Sequence, residues 1–272
     1  MYLTTAPLER WDEGSGDNGY IYCAPGQYTA VLRGTIPAGV KEFSIKGSLP
    51  DPALFAVQYF SSYLNKNGIE VINPADKISS PIIYDENKLI LTIISPPLKD
   101  IVYILNKKSF NLYAEHLLKT IGLVKEGKGS TDAGIRALKN FLESNRINIE
   151  GLDLYDGSGL SRTNTVTARM MVKLLSFMTK QKGFNSFYNS LGIAGDPDDI
   201  SSFKDFGANT ILAKNARIKS GLINGVRSHS GYLKDRSGRL IAFCLIANNY
   251  SGSVREVNEI HKKVLLMLAD LE

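Results

Sequence analysis

Cysteine and histidine are scarce in this chain, with two and three copies among 272 residues. Cys23 and Cys244 lie far apart, so they build neither a disulfide framework nor a metal-binding spacing. Cys244 sits in the apolar run of residues 240–246, which suits a buried structural thiol. His116, His229 and His261 are too dispersed to predict a metal centre, and no cofactor is expected. No apolar run is long enough to cross a bilayer. Residues 1–7 lack the pattern of a signal peptide. Basic and aromatic residues do not interleave as they do in nucleic-acid-binding segments. What remains is ordinary for a globular protein: 43% of residues are hydrophobic and 22% charged, enough apolar material for a real core. Charge is uneven. Residues 1–92 hold 7 Lys+Arg and 10 Asp+Glu, a net of −3; residues 93–272 hold 25 and 17, a net of +8. The basic part suits an anionic ligand such as a carboxylate-bearing peptide, or is simply a solvated lysine-rich surface.

Three short motifs carry chemistry. Lys219-Ser220-Gly221 opens a run of strand-forming residues. A Lys-Ser/Thr-Gly triplet on a strand is one signature of enzymes that acylate a serine. Lys219 supplies a positive charge and Ser220 a hydroxyl, both suited to a terminal carboxylate. Gly221 lets a substrate backbone lie flat on the strand, and the Leu222 amide can donate to an oxyanion. Ser109-Phe110-Asn111 precedes a helical pattern. Its serine can relay a proton, and its asparagine amide can both donate and accept; Ser109 fits an ordinary helix N-cap equally well. Third, Asp156-Gly157-Ser158-Gly159-Leu160-Ser161-Arg162 leads, through Asn164, Val166 and Thr167, into another helical pattern. Asp-Gly-Ser-Gly is strong turn chemistry, so Asp156 and Ser158 are expected to shape the loop.

The order and spacing of Ser-x-Asn, DGSGLSR and Lys-Ser-Gly resemble the D-alanyl-D-alanine carboxypeptidase/endopeptidase family, the class C low-molecular-mass penicillin-binding proteins. The stretches Trp11 to Asn18, Leu32 to Pro37 and Gly47 to Pro52 also resemble the middle of those proteins, so the likeness covers nearly the whole chain. It implies an α+β transpeptidase fold, an antiparallel sheet with packed helices, acting on peptidoglycan stem peptides that end in D-Ala-D-Ala and reacting with β-lactams through an acyl-enzyme. By resemblance, Ser109 passes a proton to the leaving amine, Asn111 binds the peptide amide, and Lys219 and Ser220 hold the terminal carboxylate. Arg162 either reaches an acidic group on the stem or makes a structural ion pair. One departure matters. The family nucleophile lies in a Ser-x-x-Lys motif ahead of these three, whereas here the match, Ser201 to Lys204, falls between the second and third. It is read as coincidental and expected on the surface away from the cleft. The chain therefore reads as the C-terminal portion of a larger periplasmic or cell-envelope enzyme, with nucleophile and export signal on an upstream segment. The rival reading is a catalytically inactive peptidoglycan-binding or scaffold protein.

Periodicity and punctuation place short strands at residues 20–23, 28–32 and 41–46, a helix at 53–67 and a β-like run at 88–94. The domain boundary is set there: residues 1–92 as part of a β-rich inserted domain, and 93–272 as the C-terminal part of the penicillin-binding domain. Helices follow at 98–107, 111–121, 132–143 (capped by Thr131), 168–181 and 184–191. Beyond Lys219, strands at 218–220, 228–233 and 240–247 with a turn at 235–238 precede a final helix, 254–271.

Overall fold

A computed structural model describes residues 2–5, 9–11, 18–24, 26–39, 42–45, 47–73, 76–78, 80, 83 and 85–272. Residues 12–17 of the Trp11 to Asn18 stretch, Met1, Ala6 and Pro7 of the N-terminal run, and Lys41 and Lys46 lie outside the described residues. The chain divides into two compact units, Met1–Thr92 and Ile93–Glu272.

The first unit is built on β4 (Thr29–Pro37), which pairs in parallel with β1 (Tyr2–Thr5) and β2 (Glu9–Trp11) and antiparallel with β3 (Asn18–Tyr22). Helix α1 (Pro52–Lys66) starts as the sequence dictates: the Asp51 carboxylate accepts from the Leu54 amide at 3.0 Å and Pro52 fills the first turn. None of its residues is buried. Two strand expectations fail. Residues 42–45 have no regular structure, and 89–95 follow a 3-10 turn at Glu86–Lys88 without joining a sheet. A β-prone run becomes a strand only with a partner for its backbone groups, and no described strand pairs with either.

The second unit holds a four-stranded antiparallel sheet in the order β5 (Gly192–Ile193), β6 (Arg217–Ile223), β7 (Val226–Lys234), β8 (Leu240–Asn248). Alternation sends Ile218, Leu233 and Phe243 to one face, where they pack with Leu265 and Ala269 of α7 (Val254–Ala269). Ser253 and Glu256 close a reciprocal capping box at the start of that helix. Tyr232 points to the other face. Its hydroxyl donates to the Leu175 carbonyl of α5 (Ala168–Met178) at 2.8 Å, and its ring meets Phe184 and Tyr188 of α6 (Phe184–Ser190). Helices α2 (Leu98–Lys108), α3 (Asn111–Glu126) and α4 (Thr131–Ser144) complete the unit. The cross-strand and helix-on-sheet packing is the α+β architecture expected from the sequence.

Boundaries differ in small ways. Helix α3 runs a turn further than expected and stops at Gly127, which adopts a left-handed conformation (φ 71°). Helix α4 is capped by Ser130, whose side chain accepts from Ala133, rather than by Thr131. Helix α5 ends three residues early, and α7 two residues early. Helices α3 and α4 cross closely because Gly134 has no side chain; a Cβ there would stand 2.1 Å from the Leu118 carbonyl oxygen.

Candidate active site

Ser109 occupies a strained position. It is not the N-cap of α3; it closes α2 with φ 52° and ψ 50°, the left-handed region. For a serine this costs about 1–2 kcal/mol. Its amide bonds the Leu105 carbonyl, and so does that of Phe110, at 3.1 Å. The result is a sharp corner that presents Ser109 and starts α3 at Asn111.

The corner is braced from behind. Lys107, on the last turn of α2, is buried and forms an ion pair with buried Asp199. The Asp199 carboxylate also accepts from the amides of Ile193 (3.2 Å) and Ser201 (3.1 Å). Burial alone would raise its pKa, but the Lys107 ammonium and the donors around it outweigh that and hold it below the usual range. The neighbouring Lys108 ammonium donates to the Ile200 carbonyl at 2.8 Å. Together these contacts tie the end of α2 to the 199–201 loop and to β5.

Across the cleft, Lys219 on β6 reaches this corner. Its ammonium donates to Ser109 Oγ at 2.7 Å and to the Ser220 carbonyl at 2.7 Å, bringing together residues 110 positions apart in sequence. Burial, then the charge of Arg227, pushes the Lys219 pKa below its ordinary value. Because the ammonium donates to Ser109 Oγ, the serine keeps its own O–H free for another acceptor. A hydroxyl held in this way can take a proton on one side and give one on the other. Strand β5 pairs only with Arg217 and Ile218, so among the described residues the outer edge of β6 from Lys219 to Ile223 is open. An extended peptide can pair with such an edge. Alternation sets Lys219 and Gly221 toward α3, and Ser220 toward α7, opposite His229. Asn111 is exposed at the first position of α3.

The DGSGLSR loop is held against α3. Glu115 Oε1 accepts from the amides of Gly157 (3.1 Å) and Ser158 (2.9 Å). A Cβ on Gly157 would lie 2.6 Å from the Ala114 carbonyl oxygen, so only glycine lets the loop come this close. Asp156 accepts from the Gly159 and Ser161 amides at 2.9 and 2.7 Å and from the Asn164 side chain at 2.7 Å. Burial would raise its pKa; the Asn164, Ser161 and Gly159 donors overcome this and lower it. Asp156 and Glu115 thus shape the loop. Arg162 is exposed on it and lines a mainly apolar pocket of about 750 Å³ together with Gly221, Leu222, Leu117, Ile121 and Val226.

Ser201 departs from expectation. It is buried, not on the surface, and its Oγ accepts from the Phe203 amide at 3.2 Å. Lys204 is exposed. Ser201 closes a turn, and the two residues do not form a nucleophile pair. Two of the histidines are brought together by the fold. His229 and His261, far apart in sequence, meet with Nδ1 atoms 3.1 Å apart where α7 packs on β7. Sequence reading missed Glu115, the Lys107–Asp199 pair and this contact. Nothing in the local sequence marks them, because each contact joins residues 32 to 92 positions apart.

The chain matches the D-Ala-D-Ala carboxypeptidase 3 (S13) family over residues 15–270. It is 30% identical over 241 residues to the D-alanyl-D-alanine carboxypeptidase of Actinomadura sp. (strain R39), covering 88% of this chain and 45% of that protein. It is 27% identical over 221 residues to D-alanyl-D-alanine carboxypeptidase DacB of Haemophilus influenzae, covering 81% of this chain and 45% of that one. The chain spans about half the length of the curated relatives it matches. The crystal structure of penicillin binding protein 4 from H. influenzae, complexed with a β-lactam, superposes with a TM-score of 0.78 at 22% identity, over 97% of this chain and 64% of that one. That likeness establishes a shared fold.

Proposed function

The chain belongs to the D-Ala-D-Ala carboxypeptidase 3 (S13) family, and from that premise we propose that it forms two walls of the cleft of a serine-type D-Ala-D-Ala carboxypeptidase or endopeptidase of peptidoglycan metabolism. The observation that carries the reading is the 2.7 Å contact between Lys219 Nζ and Ser109 Oγ. The nucleophile is a serine of a Ser-x-x-Lys segment outside this chain, and the apolar pocket beside Gly221 and Leu222 is the seat for that segment. Residues 93–272 are the C-terminal part of the catalytic domain, and residues 1–92 part of an accessory domain inserted into it. The whole protein works in the periplasm or cell envelope, where peptidoglycan is.

In the mechanism that follows, a stem peptide lies along the open edge of β6. Lys219 and Ser220 hold its terminal carboxylate, and Gly221 lets its backbone approach. Asn111 bonds the peptide amide from the α3 side, and Arg162 meets the stem further along. The serine of the segment attacks the carbonyl of the penultimate D-Ala and passes its proton to the segment's lysine. The Leu222 amide donates to the developing oxyanion. As the C–N bond breaks, Ser109 gives its hydroxyl proton to the leaving nitrogen and takes one from Lys219. D-Ala departs, and water then hydrolyses the ester, giving its proton to Lys219 as the segment's lysine returns one to the serine. The lowered pKa of Lys219 suits this role, since a relay works best when its pKa lies nearer the operating pH.

The test uses the whole protein and a fluorescent penicillin. Ser109→Ala and Lys219→Gln are each expected to slow acylation by about 10²-fold or more, the usual scale for a positioned proton-transfer group. Unchanged acylation in both variants would remove the relay. A whole protein that is never acylated, yet binds stem peptide, would favour the scaffold reading.

A further inference from the structure

Arg227 has no place in the mechanism above, yet it stands beside its centre. It lies on β7 directly opposite Leu222 and diagonal to Ser220, which is opposite His229. A diagonal cross-strand neighbour is within reach of a long side chain. Its guanidinium is fixed at two points: Nε donates to Asn258 Oδ1 of α7 at 2.8 Å, and Nη1 approaches the Gly221 carbonyl at 3.4 Å. That accounts for two of five N–H donors.

The charge of Arg227 is unanswered. Among the described residues no carboxylate pairs with it, and none pairs with Lys219. Besides the phenol of Tyr250, the titratable groups its charge reaches are basic: Lys219, His229 and His261 are each pushed down by burial first and by Arg227 as well. A half-buried cation among other bases is unfavourable on its own. Lys219 and Arg227 approach the Ser220-Gly221 stretch from opposite faces of the strand, Lys219 at the Ser220 carbonyl and Arg227 at the Gly221 carbonyl. A carboxylate there would meet a point charge on one side and a planar guanidinium fork on the other.

We propose that Arg227 is a specificity residue that grips the terminal carboxylate of the bound peptide, and that Asn258 is the positioning residue that aims it. This rests on the peptide-binding reading above and adds a contact to it. It makes the free C-terminal carboxylate the feature the site selects.

The experiment is a pair of binding titrations, followed by NMR, with N-acetyl-D-Ala-D-Ala and with its C-terminal amide. The wild-type chain is expected to prefer the acid. Arg227→Gln is expected to lose roughly 10- to 100-fold in affinity for the acid, the scale of a charge-assisted hydrogen bond, with little change for the amide. Arg227→Lys keeps a charge and is expected to retain part of the preference. Asn258→Ala is expected to lose a smaller part of it, a change that a purely structural role would not produce. The assignment is overturned if Arg227→Gln keeps the wild-type preference, or weakens acid and amide equally, which would make the residue a brace between strand and helix. A wild-type chain that binds neither compound would overturn the peptide reading itself and the assignment with it.

Discussion

The Lys107–Asp199 pair gives the sharpest stability test, because both side chains are almost completely enclosed, at 1% and 2% exposure. Asp199→Asn leaves the Lys107 ammonium buried, with three donors and no carboxylate. Removing one partner of a buried pair costs about 3–5 kcal/mol. Lys107→Met is expected to cost less, since the Ile193 and Ser201 amides still answer the Asp199 carboxylate. The double variant is expected to be more stable than the sum of the two single losses by about 2 kcal/mol, because each partner's removal strands the other. Urea unfolding followed by circular dichroism measures all three. The same variants should slow acylation of the whole protein, since Lys107 sits two residues before Ser109 and holds the corner that presents it. Single variants within 0.5 kcal/mol of wild type, or strictly additive losses, would refute the reasoning.

Two further outcomes follow from the packing. Gly157→Ala is expected to push the DGSGLSR loop off α3, because its Cβ would stand 2.6 Å from the Ala114 carbonyl oxygen; a loss of about 1–3 kcal/mol in thermal unfolding would register the overpacking. Buried His229 gives a pH dependence. Its folded pKa is pushed down to about 3 from 6.5, first by burial and then by Arg227 and His261. The unfolded chain therefore takes up a proton that the folded chain refuses, so this stability is complete above pH 6.5 and drains as pH falls toward 3. The loss should reach about 1 kcal/mol at pH 5.5 and about 3 kcal/mol at pH 4.5. Urea titrations across that window should show it, and His229→Gln should flatten the curve.

The motifs were legible in the sequence because their residue types are demanded by chemistry and sit on regular elements. Lys219-Ser220-Gly221 opens a strand run, and Ser109 and Asn111 straddle a helix start. Helices and strands of the second unit were legible for the same reason: alternation and 3.6-residue periodicity mark faces that do become buried, as with Leu233 and Val257. What stayed hidden depends on tertiary partners. Residues 88–94 are as β-prone as β8, yet a strand exists only where another offers its backbone groups. The ion pair of Lys107 with Asp199 spans 92 positions, and His229 meets His261 only because α7 lies across β7. Ser201 looked like a surface residue because Asp and Pro crowd its loop, but the Asp199 carboxylate folds that loop inward by accepting the Ser201 amide. The left-handed corner at Ser109 carries no sequence signal, since glycine or asparagine is the usual occupant of that conformation.

The central claim is that this chain supplies the relay wall and the carboxylate wall of the cleft while the nucleophile lies on another segment. Incubation with a fluorescent penicillin, followed by a denaturing gel, tests it directly on the chain alone and on the protein read from its whole gene. The account predicts no covalent band on the chain alone, and a band on the whole protein mapping to the serine of a Ser-x-x-Lys motif ahead of residue 1. A stable band on the chain alone, mapping to Ser201 or any other serine within it, would contradict the account.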